Sequence, residues 1–420
     1  MKFFYNILIY LYVLIIRLSS FFNDKALKWI KGRENWVQKA KTISLDNNQL
    51  AWFHCSSLGE FEQARPVIKK FKNKFSGWKI LITFFSPSGY EVRKDYQDAD
   101  YVIYLPPDTI KNAKKFLSII KPKIALFVKY DFWFNYINEL YKSNIPIIYF
   151  SSIFRKNQYF FKWYGKWYKN QLKKITWFFV QNQESYSLLN SINIQNVTIS
   201  GDTRFDRVIE AALQAKPFSE IEKFINKRKV LLCGSTWYAD EKIIHNIFNE
   251  LPNDIVLIIA PHNIDQQHIN ILLKMFENQV IKYSDIKNFD DVTKYKVIVI
   301  DAMGFLLHIY KYSYVAYVGG GFGKSIHNIL EPAVFGKPVI FGPAYHKFQE
   351  AHDLLEMGGA FCVKNSTELK QILIKLLDDH TFYNKASLIC NHYVDNQKGA
   401  TDLIISKIED LIKKVYPYYN

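Results

Sequence analysis

From Leu50 onwards the chain repeats one pattern: a short apolar run, a polar loop, then an amphipathic stretch of helix length. That alternation restricts the fold to a mostly parallel sheet wound on both faces by helices. A first series of apolar runs covers residues 51–54, 79–85, 101–105, 124–128, 145–150, 177–180 and 197–200. A second covers 230–233, 255–260, 297–300, 314–318, 339–341 and 361–363. At 420 residues the chain is too long for one ordinary core. The expected fold class is therefore α/β, with two doubly wound Rossmann-like domains facing across a cleft. Their boundaries are placed at 23–206 and 229–400, with a polar connection over 207–228 and an amphipathic closing helix within 401–420 that could pack back on the first domain. In such sheets the loops at the carboxyl ends of strands build the site, so residues just after each apolar run are the candidates.

The densest of these loops lies in the segment 314–346. A buried strand runs into a glycine loop, Gly319 to Gly323, which includes Gly320 and Gly321. A helix is expected over 327–335, stopped by Gly336 and Pro338. Amides of a glycine loop backed by a helix N-terminus suit an anion such as a nucleotide phosphate. His327 and Glu331 are four apart, which puts both on one face of that helix. A carboxylate there can accept hydrogen bonds from a ribose diol. A plain strand–turn–helix with a cap accounts for the same residues.

Residues 3–16, FFYNILIYLYVLII, form an apolar segment between Lys2 and Arg17. No small-residue cleavage site follows, and Lys25, Lys28, Lys31 and Arg33 form a basic flank. We expect residues 1–22 to be a membrane anchor, against the alternative of a helix buried in the protein. The net charge of +16 calls for an anionic partner. No arginine-rich arm or nucleic-acid motif is present, which ranks nucleic acid low. Four scattered cysteines with no CxxC pair indicate neither disulfides nor a zinc site.

Other strand ends carry further candidates. Glu60 follows the first run in His54-Cys55-Ser56-Ser57-Leu58-Gly59-Glu60, where a carboxylate can accept a proton from an attacking hydroxyl or close a capping box with a serine. Asp131 follows the fourth run, as an acid or as a helix cap. Arg204 follows the seventh, to hold a phosphate or a hinge ion pair. In the second series Ser235 and Thr236 offer hydroxyls and amides, and His262 stands in Pro261-His262-Asn263, where a lone histidine is more often structural.

Together these pieces resemble the 3-deoxy-D-manno-octulosonic acid (Kdo) transferases of bacterial lipopolysaccharide synthesis. The matching stretches are WFHCSSLGE (52–60), KYDFWFN (129–135), SSIFR (151–155), GDTRFD (201–206), GSTWYADE (234–241), APHNID (260–265) and GGGFGKSIHNILEPAVFGKPVIFGP (319–343). The resemblance implies a glycosyltransferase B (GT-B) fold with CMP-Kdo as donor, no other cofactor and no metal. It implies the tetra-acylated lipid A precursor as acceptor, at the cytoplasmic face of the inner membrane. Glu60 becomes the general base and Asp131 its helper carboxylate. Arg204, Ser235 and Thr236 go to the phosphate, and His262, Gly320, Gly321, His327, Asn328 and Glu331 to the nucleotide. One base with no enzymic nucleophile implies single displacement with inversion. A basic, aromatic run over 154–174 fits either an acceptor patch at the membrane or a helix whose aromatics enter the core. Two further readings keep this sequence in view: another nucleotide-sugar transferase or an epimerase of the same fold, and a non-catalytic membrane-surface protein.

Overall fold

The computed structural model describes residues 1–43, 49–289 and 291–415. The last five positions of the closing segment lie outside the described residues. Two compact units divide the chain: Met1–Arg207 with Gly399–Asn420, and Val208–Lys398.

In the first unit seven parallel strands, β1 (Gln49–Cys55), β2 (Trp78–Phe84), β3 (Tyr101–Tyr104), β4 (Ile124–Val128), β5 (Ile147–Ser152), β6 (Trp177–Val180) and β7 (Val197–Ile199), lie in the order β3-β2-β1-β4-β5-β6-β7. The register sets Trp52 between Leu81 and Ala125. Successive side chains of β1 enter opposite cores. Trp52 packs with Phe116, Phe127 and Tyr136 on one face, and Phe53 with Phe71 on the other. The helix Ala400–Val415 returns to this second face, burying Ile404, Ile405, Ile408 and Ile412 beside the helix Leu58–Lys74. Asp206 fixes its start, accepting from the Gly399 and Thr401 amides at 2.7 and 2.6 Å.

The second unit repeats the plan with β8 (Lys229–Thr236), β9 (Ile255–Pro261), β10 (Val280–Lys282), β11 (Val297–Val299), β12 (Val315–Val318), β13 (Val339–Phe341) and β14 (Ala360–Cys362), in the order β10-β11-β9-β8-β12-β13-β14. Every expected strand is present, and β10 is an addition that its three residues were too short to announce. In each sheet the strand order reverses where the first strand of the unit meets a later one, between β1 and β4 and between β8 and β12; the second sheet also exchanges β10 and β11 at its edge. A crevice opens at such a reversal, and ligands bind there.

One expected helix differs. The helix after the glycine loop spans only Leu330–Ala333. His327 precedes it in irregular chain, so His327 and Glu331 do not share a helix face. The turn is held instead by its own contacts, the His327 amide donating to the Gly319 carbonyl at 3.1 Å and the Asn328 side chain accepting from Leu330 N at 3.2 Å.

The N-terminal apolar segment is a helix, Lys2–Ser19, with no buried residue. By length and apolarity it is a candidate membrane span (mean hydropathy 1.5). One side is tied to the first unit. Tyr5 donates to Asp108 at 2.5 Å, Asn135 donates to Asn6 at 3.0 Å, and Tyr12 stacks on Phe85. The aromatic run over 154–174 divides its residues: Phe154 and Phe160 are buried, while Trp163 is 94% exposed.

Candidate active site

The reversal in the first sheet sets the ends of β1 and β4 side by side, and their loops carry Glu60 and Asp131. Ser57 caps the helix Leu58–Lys74, accepting from Glu60 N at 3.4 Å. The Glu60 carboxylate turns back to accept from Ser56 N at 2.5 Å. The capping arrangement read from the sequence is therefore real, and it delivers a carboxylate to the strand end. Asp131 does not cap the following helix, Phe134–Lys142, which has no side-chain bond at its N-cap Trp133. Asp108 fills that role, accepting from Asn135 N and Tyr136 N at 3.0 Å each.

Glu60 is buried, and burial with the nearby Asp131 charge pushes its carboxyl up to about 8, against the pull of the Ser56 amide and Lys129. Burial also raises Asp131, opposed by hydrogen bonds from Ser56 and Glu60 and by Lys129. Two like charges in a dry site cannot both form, so the pair holds one proton, mainly on Glu60.

A buried chain of hydrogen bonds stands behind the pair. Trp52 Nε1 donates to Thr83 Oγ1 at 2.8 Å, and His54 Nδ1 meets the same hydroxyl at 2.8 Å. His54 Nε2 lies 3.2 Å from Ser56 Oγ, and Ser56 bonds Asp131. Burial and the Arg33 charge hold His54 down at about 3, so it stays neutral. Sequence reading missed Thr83 and His54. The signal that could have found them is their position: both sit near the C-terminal ends of the paired strands β1 and β2.

Arg204 is held by Asp202, which accepts its Nε–H and its backbone N–H at 2.9 Å each. Burial alone would raise the Asp202 carboxyl, but Arg204 and a bond from Gln63 bring it below the usual carboxylate range.

In the second unit the strand order reverses between β8 and β12; Ser235 and Thr236 end β8, His262 follows β9, and the glycine loop follows β12. Ser235 adopts a left-handed φ of 54°. Thr236 is buried and its hydroxyl donates to Glu241 at 2.8 Å. Glu241 in turn meets His268 Nε2 at 2.8 Å. The glycine loop is also engaged from within. Gly319 N donates to Gly234 O at 2.9 Å, Gly320 N to Asp240 at 2.9 Å, and Gly323 N to Gly320 O at 3.0 Å. A Cβ on Gly319 would lie 2.5 Å from Ser235 O, and one on Gly321 would lie 2.5 Å from Gly342. These glycines are required by close backbone packing. Asp240 is the clasp, also accepting from Trp237 N at 2.9 Å and Tyr317 Oη at 2.8 Å.

Three rings stack beside this clasp. Trp237 and His262 lie 4.6 Å apart at 27°, His262 and His327 4.5 Å apart at 25°, and Trp237 Nε1 donates to His327 Nε2 at 3.1 Å. Burial lowers His262, and burial with His262 lowers His327 to about 4, so both imidazoles are neutral at pH 7. Trp237 was not singled out from the sequence, where it reads as one more aromatic. Asn328 donates to Glu331 at 3.2 Å and so orients its carboxylate. Among the described residues no three His, Cys, Asp or Glu side chains form a metal cluster.

Two Rossmann-like units, each with its polar groups at a strand-order reversal, give the chain a fold of the GT-B class. Solved structures of the same fold include a putative UDP-N-acetylglucosamine 2-epimerase from Listeria monocytogenes, with TM-score 0.60, 12% identity, and 87% and 97% of the two chains covered. Another is UDP-GlcNAc 2-epimerase from Neisseria meningitidis, with TM-score 0.59, 16% identity, and 86% and 100% covered. Residues 31–207 match the family model of 3-deoxy-D-manno-octulosonic-acid transferase (kdotransferase). A bifunctional glycosyltransferase/methyltransferase of Fusobacterium nucleatum is 30% identical over 89% of this chain, and the chain spans 60% of that protein's length. The 3-deoxy-D-manno-octulosonic acid transferase of Aquifex aeolicus is 29% identical over 78% of this chain and 85% of its own. Over most of its length the chain is similar to members of the Kdo transferase family.

Proposed function

We propose that this chain transfers Kdo from CMP-Kdo to the phosphorylated, acylated disaccharide precursor of lipid A, by a single inverting displacement that needs no metal. The observation that carries the reading is the Glu60–Asp131 pair, a buried carboxyl raised to about 8 at a strand-order reversal. A sugar hydroxyl is far too weak an acid to ionise alone at neutral pH, and a base poised near the working pH serves it best.

As the acceptor oxygen bonds the anomeric carbon, its proton passes to the Glu60 carboxylate. The bond from that carbon to the CMP phosphate oxygen breaks, and the electron pair leaves with CMP. Asp131 and Lys129 set the affinity of Glu60 for the proton. On the C-terminal unit, the Trp237–His262–His327 stack offers a flat, neutral surface for the cytosine, and Glu331 an acceptor for the ribose hydroxyls. The membrane is the expected workplace, since the acceptor is a lipid and the Lys2–Ser19 helix is apolar and exposed. The cytoplasmic face of the inner membrane is the side on which a nucleotide sugar is available.

The test is transfer from CMP-Kdo made in situ onto the tetra-acylated precursor in detergent with EDTA, read by mass spectrometry. Wild type is expected to add Kdo and Glu60→Gln to lose about 10²–10⁴-fold in kcat. No mass gain from folded wild type, or full activity in the variant, would refute the assignment.

A further inference from the structure

Between the N-terminal helix and the body of the first unit lies a cavity of about 620 Å³. Its apolar wall is built by Val13 and Leu14 of that helix and by Trp29, Ile30 and Trp36. Three cations line it as well: Arg17, Lys111 and Arg33, against the one acid Glu34.

Arg33 is the unusual member. Its guanidinium is 7% exposed and stacks on Trp29 with 3.8 Å to the ring centroid. Its Nε, Nη1 and Nη2 donate to backbone carbonyls: Leu105 at 2.8 Å, Trp29 at 3.0 Å and Phe85 at 2.6 Å. Among the described residues no carboxylate pairs with it. A buried cation without a counter-charge is costly, and burial lowers its affinity for its own proton, to about 9. The ring that covers it, Trp29, is buried and its indole N–H has no partner. Two buried donors, one of them a fixed positive charge, thus border a roomy cavity with an apolar wall.

We propose that this cavity binds one molecule of anionic phospholipid, with its phosphate drawn to Arg33, Arg17 and Lys111 and an acyl chain laid along the helix and Trp36. The volume is within the range of sites for small organic ligands. Charge complementarity selects an anion. The exposed apolar face of the same helix, including Leu8, Leu11 and Ile15, places the cavity where bilayer lipid is at hand. The cavity shares no lining residue with Glu60, Asp131 or Lys129, which separates this lipid from the acceptor at the reacting centre. The lipid would lock the N-terminal helix to the first unit in the membrane.

The experiment is thermal unfolding of the full chain in mild detergent with short-chain dioctanoyl-phosphatidylglycerol or dioctanoyl-phosphatidylcholine. The anionic lipid is expected to raise Tm with the logarithm of its concentration, by on the order of 5 °C at a hundredfold excess over its Kd. The zwitterionic lipid should give a small fraction of that rise. Val13→Trp, which fills the cavity from the exposed helix, should abolish the response, and Arg17→Gln should weaken it. Arg33→Gln should also abolish it, and if that variant does not fold the other two decide. Equal responses to both lipids, no response in wild type, or a full response in Val13→Trp would overturn the proposal. So would displacement by the deacylated phosphorylated disaccharide, which would give the cavity to the acceptor instead.

Discussion

Glu60 does two jobs with one carboxylate, and they pull its chemistry in opposite directions. As a cap it accepts the Ser56 amide, which favours the ion; as a buried neighbour of Asp131 it is pushed towards the acid. Its folded affinity for the proton is above the ordinary glutamate value, so its neutral form is favoured by the fold. That contribution to stability is full below about pH 4.5 and is lost as pH rises through about 8. Two expectations follow at this scale. The rate at low substrate should climb with pH as Glu60 ionises, levelling above about 8, which a kcat/KM profile checks. Glu60→Gln, which cannot ionise, should melt higher than wild type at pH 8.5 and by much less at pH 5, in paired thermal scans. Behind the pair, Thr83→Val leaves Trp52 Nε1 and His54 without their shared partner. It should cost about 1–3 kcal/mol in a denaturant titration, with a loss of kcat that persists where the variant is fully folded. Glu60 was legible in the sequence because a serine–glutamate spacing after an apolar run has one meaning in capping and a second in catalysis. His54 and Thr83 were not, because their bond spans 29 residues and depends on strand register.

Strands announced themselves and short helices did not. Apolar runs buried on both faces of a parallel sheet need no particular turn to be recognised. The segment after β12 depends on tertiary contacts instead. Asp240, from a different helix, takes the Gly320 amide, and the backbone of Gly342 crowds Gly321. A glycine loop with free amides and one packed shut have the same sequence, and only the neighbours distinguish them. In the proposed donor site the ring stack is the surface offered to the base. Trp237→Ala should weaken CMP binding about tenfold or more, on the scale of one lost base–aromatic contact (~1–3 kcal/mol), as calorimetry would measure. The far-UV spectrum should not change, since Trp237 is 44% exposed. A fall of less than twofold would remove the stack from the donor site.

The N-terminal unit is completed by the last helix of the chain. Truncation at Lys398 should uncover the core side against which Ile404, Ile405, Ile408 and Ile412 pack, at roughly 1.5–3 kcal/mol per isoleucine. The unfolding transition of the N-terminal unit should fall sharply, while that of the C-terminal unit, whose sheet and cores lie within 208–398, should hold its midpoint. Two independent calorimetric transitions in wild type and one displaced transition in the truncated chain would be the readout.

That same return gives the chain an order of events during synthesis. The C-terminal unit is, in connectivity, an insertion into the N-terminal one, entered at 207–208 and left at 398–399. The inner unit has its whole sequence available while the outer one still waits for its final helix. The ribosome must release residues through about Ile412 before that helix packs on the core that holds Phe53, Phe61 and Phe71. Until then the nascent chain presents an apolar strip as well as an apolar N-terminal helix. A nascent chain of this design is one that gains from meeting the bilayer, or a chaperone, before it is finished.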